Sequence, residues 1–266
     1  MPDHLSRFVS LSHPVAIAHR GGSKLRPENT MEAFRHAARL GVDGLECDVH
    51  LARDGEVVVI HDATLERTTD ATGPVSALTA DELARVDAGY RFEDAEGFSY
   101  RARGIGVPRL TDVLVEFSDL PVIVEIKGGD VGLASKVMQT VVDAGARERV
   151  VVGGFDHGVL AAVRATFPGV PTSASRQEVQ AALRRSYFFM APRLTGMALF
   201  QAPIRLRGKK VLTRGFVRAA RRAGLPVQAW IVDEPGDMRM LLGWGVTGII
   251  SDRPDLAVAE VARPRA

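Results

Sequence analysis

Short apolar runs rich in β-branched residues recur along the chain, and several of them stop on a charged or imidazole side chain. Residues 15–18 run into His19, residues 45–49 carry Glu46 and Asp48, residues 56–60 run into His61, and residues 121–127 read PVIVEIK. Runs of this length, bounded by glycine or charge, predict strands. Similar runs at 149–155, 170–175, 227–232 and 248–251 predict more. Between the runs, apolar positions recur every three or four residues, which predicts helices at 31–40, 79–86, 110–117, 159–166, 177–185, 216–223 and 236–242. Asn29 stands where an N-cap is expected for the first of these, and Gly41 where a C-cap is. Arg53-Asp54-Gly55 between two β-branched runs signals a hairpin, which returns His61 towards Glu46 and Asp48. Residues 187–200 have no clean period and contain Pro192 and Gly196, so they read as a loop leading to a strand near Leu199.

Eight strands, counted from Val15, Leu45, Val122, Val150, Val170, Leu199, Val227 and Gly248, alternate with helices. That alternation predicts an α/β fold, a (β/α)8 TIM barrel forming a single domain over residues 1–266. Residues 63–109 lack strand periodicity and hold polar turns and a loop rich in Gly and aromatics, so they read as a small insertion after the second-strand hairpin. In barrels of this kind the chemistry lies at the C-terminal ends of the strands. His19, Glu46, Asp48, Glu125 and Lys127 all fall there, and so do Phe155, Trp230 and Asp252.

Strand residues two apart share a side, so Glu46 and Asp48 project together while Cys47 points the other way. Glu125 and Lys127 share a side for the same reason. Paired carboxylates repel unless a cation or a shared proton lies between them. Glu46, Asp48 and Glu125 are hard oxygen donors with no Cys or His between them, which favours Mg²⁺ or Ca²⁺ over zinc. Arg20 and Lys127 can neutralise the oxygens of an anionic ligand, the first as a bidentate fork and the second as a point charge. His19 and His61 can divide acid and base roles near neutral pH; a packed or metal-orienting histidine is the alternative for either. Asp62 either positions His61 or caps the turn that follows. Trp230 and Phe155 offer a substrate-binding wall, with core packing the alternative for Trp230. His4, His13, His36, His50 and His157 read as surface or structural.

Composition narrows the picture further. Apolar residues make up 46% of the chain and charged residues 25%, which suits a sizeable buried core and excludes disorder. Cys47 is the sole cysteine, so no internal disulfide argues for an oxidising compartment. The first twenty residues hold no apolar run of signal-peptide length, and no stretch approaches the ~20 apolar residues of a spanning helix, so a soluble cytoplasmic protein is expected. Net charge is only +2, but residues 176–222 contain twelve Lys and Arg against a single acid, Glu178. Such a face attracts anionic partners, a solvated Arg-rich face being the alternative.

The order His19-Arg20-Gly21-Gly22, Pro27-Glu28-Asn29-Thr30, Glu46-Cys47-Asp48-Val49, then His61-Asp62 with Arg67-Thr68-Thr69, resembles the glycerophosphodiester phosphodiesterase family. Pro108-Arg109-Leu110, Gln201-Ala202-Pro203, Gly224-Leu225-Pro226-Val227 with Trp230, and Gly245-Val246-Thr247-Gly248 with Asp252 and Pro254 extend the likeness over most of the chain. Ile231, Asp233 and Ser251 depart from the family pattern and bear on fine substrate contacts. The resemblance implies a barrel with an insertion of variable size, and Glu46, Asp48 and Glu125 as ligands of a divalent metal. It implies hydrolysis of a small-molecule glycerophosphodiester to sn-glycerol 3-phosphate and an alcohol, with His19 as base and His61 as acid. It also implies attack by the glycerol 2-hydroxyl through a cyclic phosphate. Two rival functions are a lysophospholipase D, if residues 187–200 face the site mouth and accept an acyl chain, and a non-catalytic phosphate- or lipid-binding module. No nucleic-acid partner is expected, and weak peripheral membrane contact through residues 176–222 is.

Overall fold

The apolar runs pair side by side in parallel, and the helical segments coil back between them. A computed structural model describes Leu5 and residues 8–264; His4 lies outside the described residues, as does part of the N-terminal stretch read above for a signal. The strands are β1 (Val15–His19), β2 (Gly44–Leu51), β3 (Val57–Val59), β4 (Val122–Ile126), β5 (Val150–Gly153), β6 (Phe200–Pro203), β7 (Arg205–Leu206), β8 (Lys209–Lys210), β9 (Val227–Trp230) and β10 (Gly248–Ser251). The helices are α1 (Met31–Arg39), α2 (Ala80–Leu83), α3 (Leu110–Glu116), α4 (Val131–Asp143), α5 (His157–Thr166), α6 (Arg176–Tyr187), α7 (Arg214–Arg222), α8 (Pro235–Trp244) and α9 (Pro254–Val261).

The main sheet runs β5-β4-β2-β1-β10-β9-β6, all parallel, with β3 folded back antiparallel on β2. Parallel bridges from Val152 to Thr172 and from Ser173 to Leu199 close it into a ring, so the fold is the expected (β/α)8 barrel. The expected strand at 170–175 is reduced to those two bridged residues. Pro171 has no N–H to give, and the Ser175 N–H is taken by Glu178 Oε2 at 2.7 Å, where the chain already turns into α6. The Asn29 cap is also corrected. Thr30 caps α1, its hydroxyl accepting from the Ala33 N–H at 3.2 Å, while Asn29 faces the sheet. Two helices not anticipated, α4 and α9, complete the outer layer. The signal for α4 was present: Asp130 caps it, and Leu133, Ala134, Val137, Met138 and Val141 repeat at helical spacing and are buried.

Strand parity decides what lies inside the ring. Val15 and Ile17 of β1, Ile123 of β4, Val151 of β5, Leu199 and Ile250 meet Leu5 and Phe8 in an apolar interior cluster. Burying side chains of this size contributes roughly 1.5–3 kcal/mol each. The alternate residues, including Leu45, Cys47, Val49, Val122 and Val124, face outward into the layer beneath the helices. Continuing each inward series towards the C-terminal end of its strand replaces apolar with polar side chains: His19, Glu46 and Asp48, Glu125, Gln201 and Trp230. The register sets them level, with His19 opposite Glu46 and Asp48 opposite Glu125. Residues 63–109 hold a 3₁₀ turn (Val75–Ala77), α2 and a separate small core of Val58, Leu65, Val75, Leu83 and Val107. Among the described residues, no helix is long and apolar enough to cross a membrane.

Candidate active site

The chain leaves β1 through three successive left-handed residues, Arg20 (φ 52°), Gly21 (φ 80°) and Gly22 (φ 97°). A Cβ on Gly21 would stand 2.6 Å from the Ala33 Cβ, so only glycine lets this loop lie against α1. The turn aims the Arg20 N–H at Glu46 Oε2, 3.0 Å away. Asn29, also left-handed at φ 56°, grips Asp48 from the other side. Its amide donates to Asp48 Oδ2 at 2.9 Å, and its carbonyl accepts the Asp48 N–H at 3.3 Å.

Glu46, Asp48 and Glu125 converge as the parity of β2 and β4 requires. One oxygen from each lies within 4.8 Å of the others, and Glu46 and Asp48 are buried. Burial, with the charges of Asp48 and Glu125 beside it, pushes the Glu46 carboxyl up to about 8. Asp48 goes the other way. Against its burial, Lys127 and Arg20 hold it below the usual carboxylate range. Lys127 Nζ lies 2.5 Å from Glu125 Oε1 and 2.7 Å from Asp48 Oδ1. Three converging carboxylates, two of them buried, with one carboxyl forced towards its neutral form and an all-oxygen donor set, are what a hard divalent cation relieves. The residues present therefore fit such an ion.

Each site histidine is braced through Nδ1 by a carboxylate. His19 Nδ1 lies 2.6 Å from Asp252 Oδ1, and His61 Nδ1 lies 2.5 Å from Asp62 Oδ1. An ionised carboxylate can only accept, so Nδ1 carries the proton in both rings and Nε2 is left for chemistry. Asp62 is ionised: against its partial burial, the bonds from Arg67 and His61 hold it at about 2. For His19, burial opposes charging, but Glu46 and Asp252 outweigh it and raise the ring above its ordinary value. Of Asp62's two expected roles, the structure shows the first. His50, read as structural, donates from Nε2 to the His61 carbonyl at 3.0 Å and fixes the loop that presents the ring.

A chain of ion pairs links the two histidine loops. Arg67 donates to Asp62 at 2.5 Å and to both Glu28 oxygens at 2.7 and 2.8 Å, and Arg20 Nη1 donates to Glu28 Oε1 at 2.9 Å. Arg20 Nε stands 3.0 Å from Asp48 Oδ2. Glu28 and Arg67 were present in the quoted motifs without an assigned part, and Asn29 only as a helix cap. Their signal was polar residues repeated within motifs far from any strand end, which parity alone does not interpret.

His19, Arg20, Glu46, His61, Glu125 and Lys127 line one cleft, together with Phe155 and Trp230. The two aromatic rings meet edge to face with centroids 5.7 Å apart, and Arg176 lies over Phe155 at 5.3 Å. Beyond them lies a mainly apolar cavity of about 160 Å³, walled by Val179 and Leu183 of α6 and by Leu206 and Val211 around the β7–β8 hairpin. It shares Glu125, Phe155, Gln201 and Trp230 with the cleft. Residues 187–200 line neither.

Ionisable groups gathered at the strand ends of a parallel ring define a barrel enzyme of the (β/α)8 class. Residues 19–256 match the glycerophosphoryl diester phosphodiesterase family, and the chain belongs to that family. It is 34% identical over 262 residues to the glycerophosphodiester phosphodiesterase of Caldanaerobacter subterraneus subsp. tengcongensis, covering 92% of this chain and 96% of that one. It is 32% identical over 248 residues to the Bacillus altitudinis glycerophosphodiester phosphodiesterase, covering 91% and 96%. The crystal structure of the Agrobacterium tumefaciens glycerophosphodiester phosphodiesterase superposes with a TM-score of 0.75 at 27% identity, covering 92% of this chain and 99% of that one. An Oleispira antarctica phosphodiesterase in complex with the product sn-glycerol-3-phosphate shares the fold, with a TM-score of 0.76 at 23% identity over 98% and 99% of the chains. The chain is thus an enzyme, a phosphoric diester hydrolase.

Proposed function

We propose that this site hydrolyses glycerophosphodiesters to sn-glycerol 3-phosphate and an alcohol, using a divalent cation, Mg²⁺ or Ca²⁺, held by Glu46, Asp48 and Glu125. The observation that carries the reading is the meeting, in one cleft, of Glu46 and Glu125 with two carboxylate-braced imidazoles, the buried Asp48 lying within ligand distance of both carboxylates. The cation's contribution when bound is charge that polarises the phosphate and acidifies an oxygen nucleophile. The protein's own groups do the rest. Arg20 and Lys127 neutralise phosphate oxygens, Lys127 being free to turn from Glu125 and Asp48 once their charge is otherwise met. His19 takes the proton of the attacking hydroxyl at Nε2, and His61 gives its Nε2 proton to the departing alcohol. Asp252 and Asp62 hold the Nδ1 proton of each ring, so that His19 accepts at a bare Nε2 and His61 donates from its doubly protonated form. Phe155 and Trp230 wall the side where the organic part of the diester lies.

The apolar cavity beyond Trp230 favours a second reading, lysophospholipase D activity, because it could house the start of an acyl chain. The intact acid–base pair argues against a binding module, which needs none. Turnover of glycerophosphocholine, glycerophosphoethanolamine, glycerophosphoglycerol and a lysophospholipid, each with Mg²⁺, Ca²⁺ or Mn²⁺, tests both readings. Release of glycerol 3-phosphate from the first three supports the principal one. Inactivity on all of them with every cation overturns it.

A further inference from the structure

The segment after α6 exposes what a folded protein ordinarily hides. Phe189 is 88% exposed, Phe188 73%, Leu194 68% and Tyr187 62%, and Met190 is exposed beside them. A contiguous group of large apolar side chains on the surface marks an interaction site. The group is held in a defined turn: the Phe189 N–H donates to the Ser186 carbonyl at 3.1 Å, the Met190 N–H to the Arg185 carbonyl at 3.0 Å, and Arg185 Nε to the Ala191 carbonyl at 2.6 Å.

Its electrostatic setting identifies the occupant. Arg184 and Arg185 precede the aromatics and Arg193 follows them. From Val179 to Val232 the chain has eleven Lys and Arg and no Asp or Glu. A second copy of the chain meeting at this group would bring Arg184, Arg185 and Arg193 against their own counterparts, and like charges oppose that contact. An anionic bilayer instead attracts Arg184, Arg185 and Arg193 while offering the aromatics a place at the headgroup level, with arginine stems lying along the apolar boundary.

We propose that residues 187–190, with Leu194, form an anchor that inserts into the surface of an anionic lipid bilayer, the flanking arginines pairing with lipid phosphates. This goes beyond the hydrolytic reading and does not depend on it. It refines the peripheral contact expected of residues 176–222 by placing the grip in aromatic side chains. α6 joins the anchor to the active site, since its Val179 and Leu183 wall the apolar cavity and its last residue is Tyr187.

Flotation with vesicles of phosphatidylcholine, alone or mixed with phosphatidylglycerol, measures the contact directly. The full chain should bind the mixed vesicles at low salt and leave the neutral ones. F188S/F189S should lower the partition coefficient at least about tenfold, and R184Q/R185Q by about fivefold for each charge removed. Both variants should hydrolyse a soluble glycerophosphodiester at the unaltered rate, which separates this test from that of the catalytic reading. In F189W, the indole emission should shift to the blue on adding mixed vesicles. Three results would overturn the proposal: no binding to mixed vesicles at low salt, equal binding by F188S/F189S, or a dimer in light scattering that F188S/F189S converts to monomer. The second would leave a purely electrostatic contact, and the third would make a second copy the occupant.

Discussion

On β1, β2 and β4 the inward positions near the strand ends are His19, Glu46, Asp48 and Glu125; on β5, β6 and β9 they are Gly153, Gln201 and Trp230. One side of the ring holds its charges in ion pairs. The other side is nearly uncharged inside, opens onto an apolar cavity, and wears its cations outside on a stretch without acids. A barrel of near-uniform strands thus separates two demands of a phosphodiester, an anionic centre and an organic substituent, by assigning them to opposite arcs. On the proposed reading, the charged arc determines whether reaction occurs, and the apolar arc determines on what.

Removing a carboxylate from the charged arc should have the largest effect. Glu46→Gln or Asp48→Asn is expected to lower kcat/KM by at least about 10³-fold and to weaken Mg²⁺ or Ca²⁺ binding in calorimetry. EDTA should abolish turnover until a divalent cation is returned; full activity in chelated protein would sink the metal assignment. The histidines should differ next. His61→Ala should lose roughly 10²- to 10⁴-fold on a natural glycerophosphodiester and far less on a p-nitrophenyl diester, whose leaving group needs no proton. His19→Ala should lose activity on both, and the reverse pattern would exchange the roles.

The other arc should respond in stability and selectivity. Glu178 is buried, and against that burial Arg164, Thr195 and the Ser175 N–H hold it at about 2. Its folded-state value lies below the ordinary value of 4.5. Its contribution is therefore complete above that pH and drains away as pH falls towards 2. Glu178→Gln should cost about 2–3 kcal/mol in urea unfolding at pH 7, with the difference from the parent shrinking by pH 3. A gap independent of pH would mean that packing, and not charge, is what the substitution removes. The smallest effect is expected at the cavity wall. Leu183→Ser should lower kcat/KM about tenfold on a lysophospholipid while leaving glycerophosphoethanolamine within about twofold. Equal losses would show that the cavity does not receive the acyl chain.

The charged arc was legible because its chemistry uses strand parity. Once residues 15–19, 45–49 and 121–127 are strands, the sides taken by His19, Glu46, Asp48, Glu125 and Lys127 follow. Asn29 and Thr30 were not separable that way, since both are good caps and only the left-handed turn at Asn29 shows which one faces Asp48. Arg67 and Glu28 escaped assignment because their meeting depends on how the loops fold over one another. The fifth strand was overread at 170–175, where Pro171 and the capping pair Ser175–Glu178 leave room for two ladder residues. The cavity wall is built from α6 and the β7–β8 hairpin, segments brought together by ring closure alone, and no local pattern announces that.

Cys47 sits between Glu46 and Asp48 but faces the opposite way, wholly buried under the helices, where burial pushes its thiol well above the ordinary range. A thiol reagent can reach it only when β2 opens, so the rate of covalent labelling is a clock for the strand that supplies two of the three carboxylates. A ligand that ties those carboxylates to Glu125 should slow the clock by the factor 1 + [L]/Kd for the closed form. One natural cysteine thereby makes occupancy of the site readable by mass spectrometry, without a substrate and without turnover.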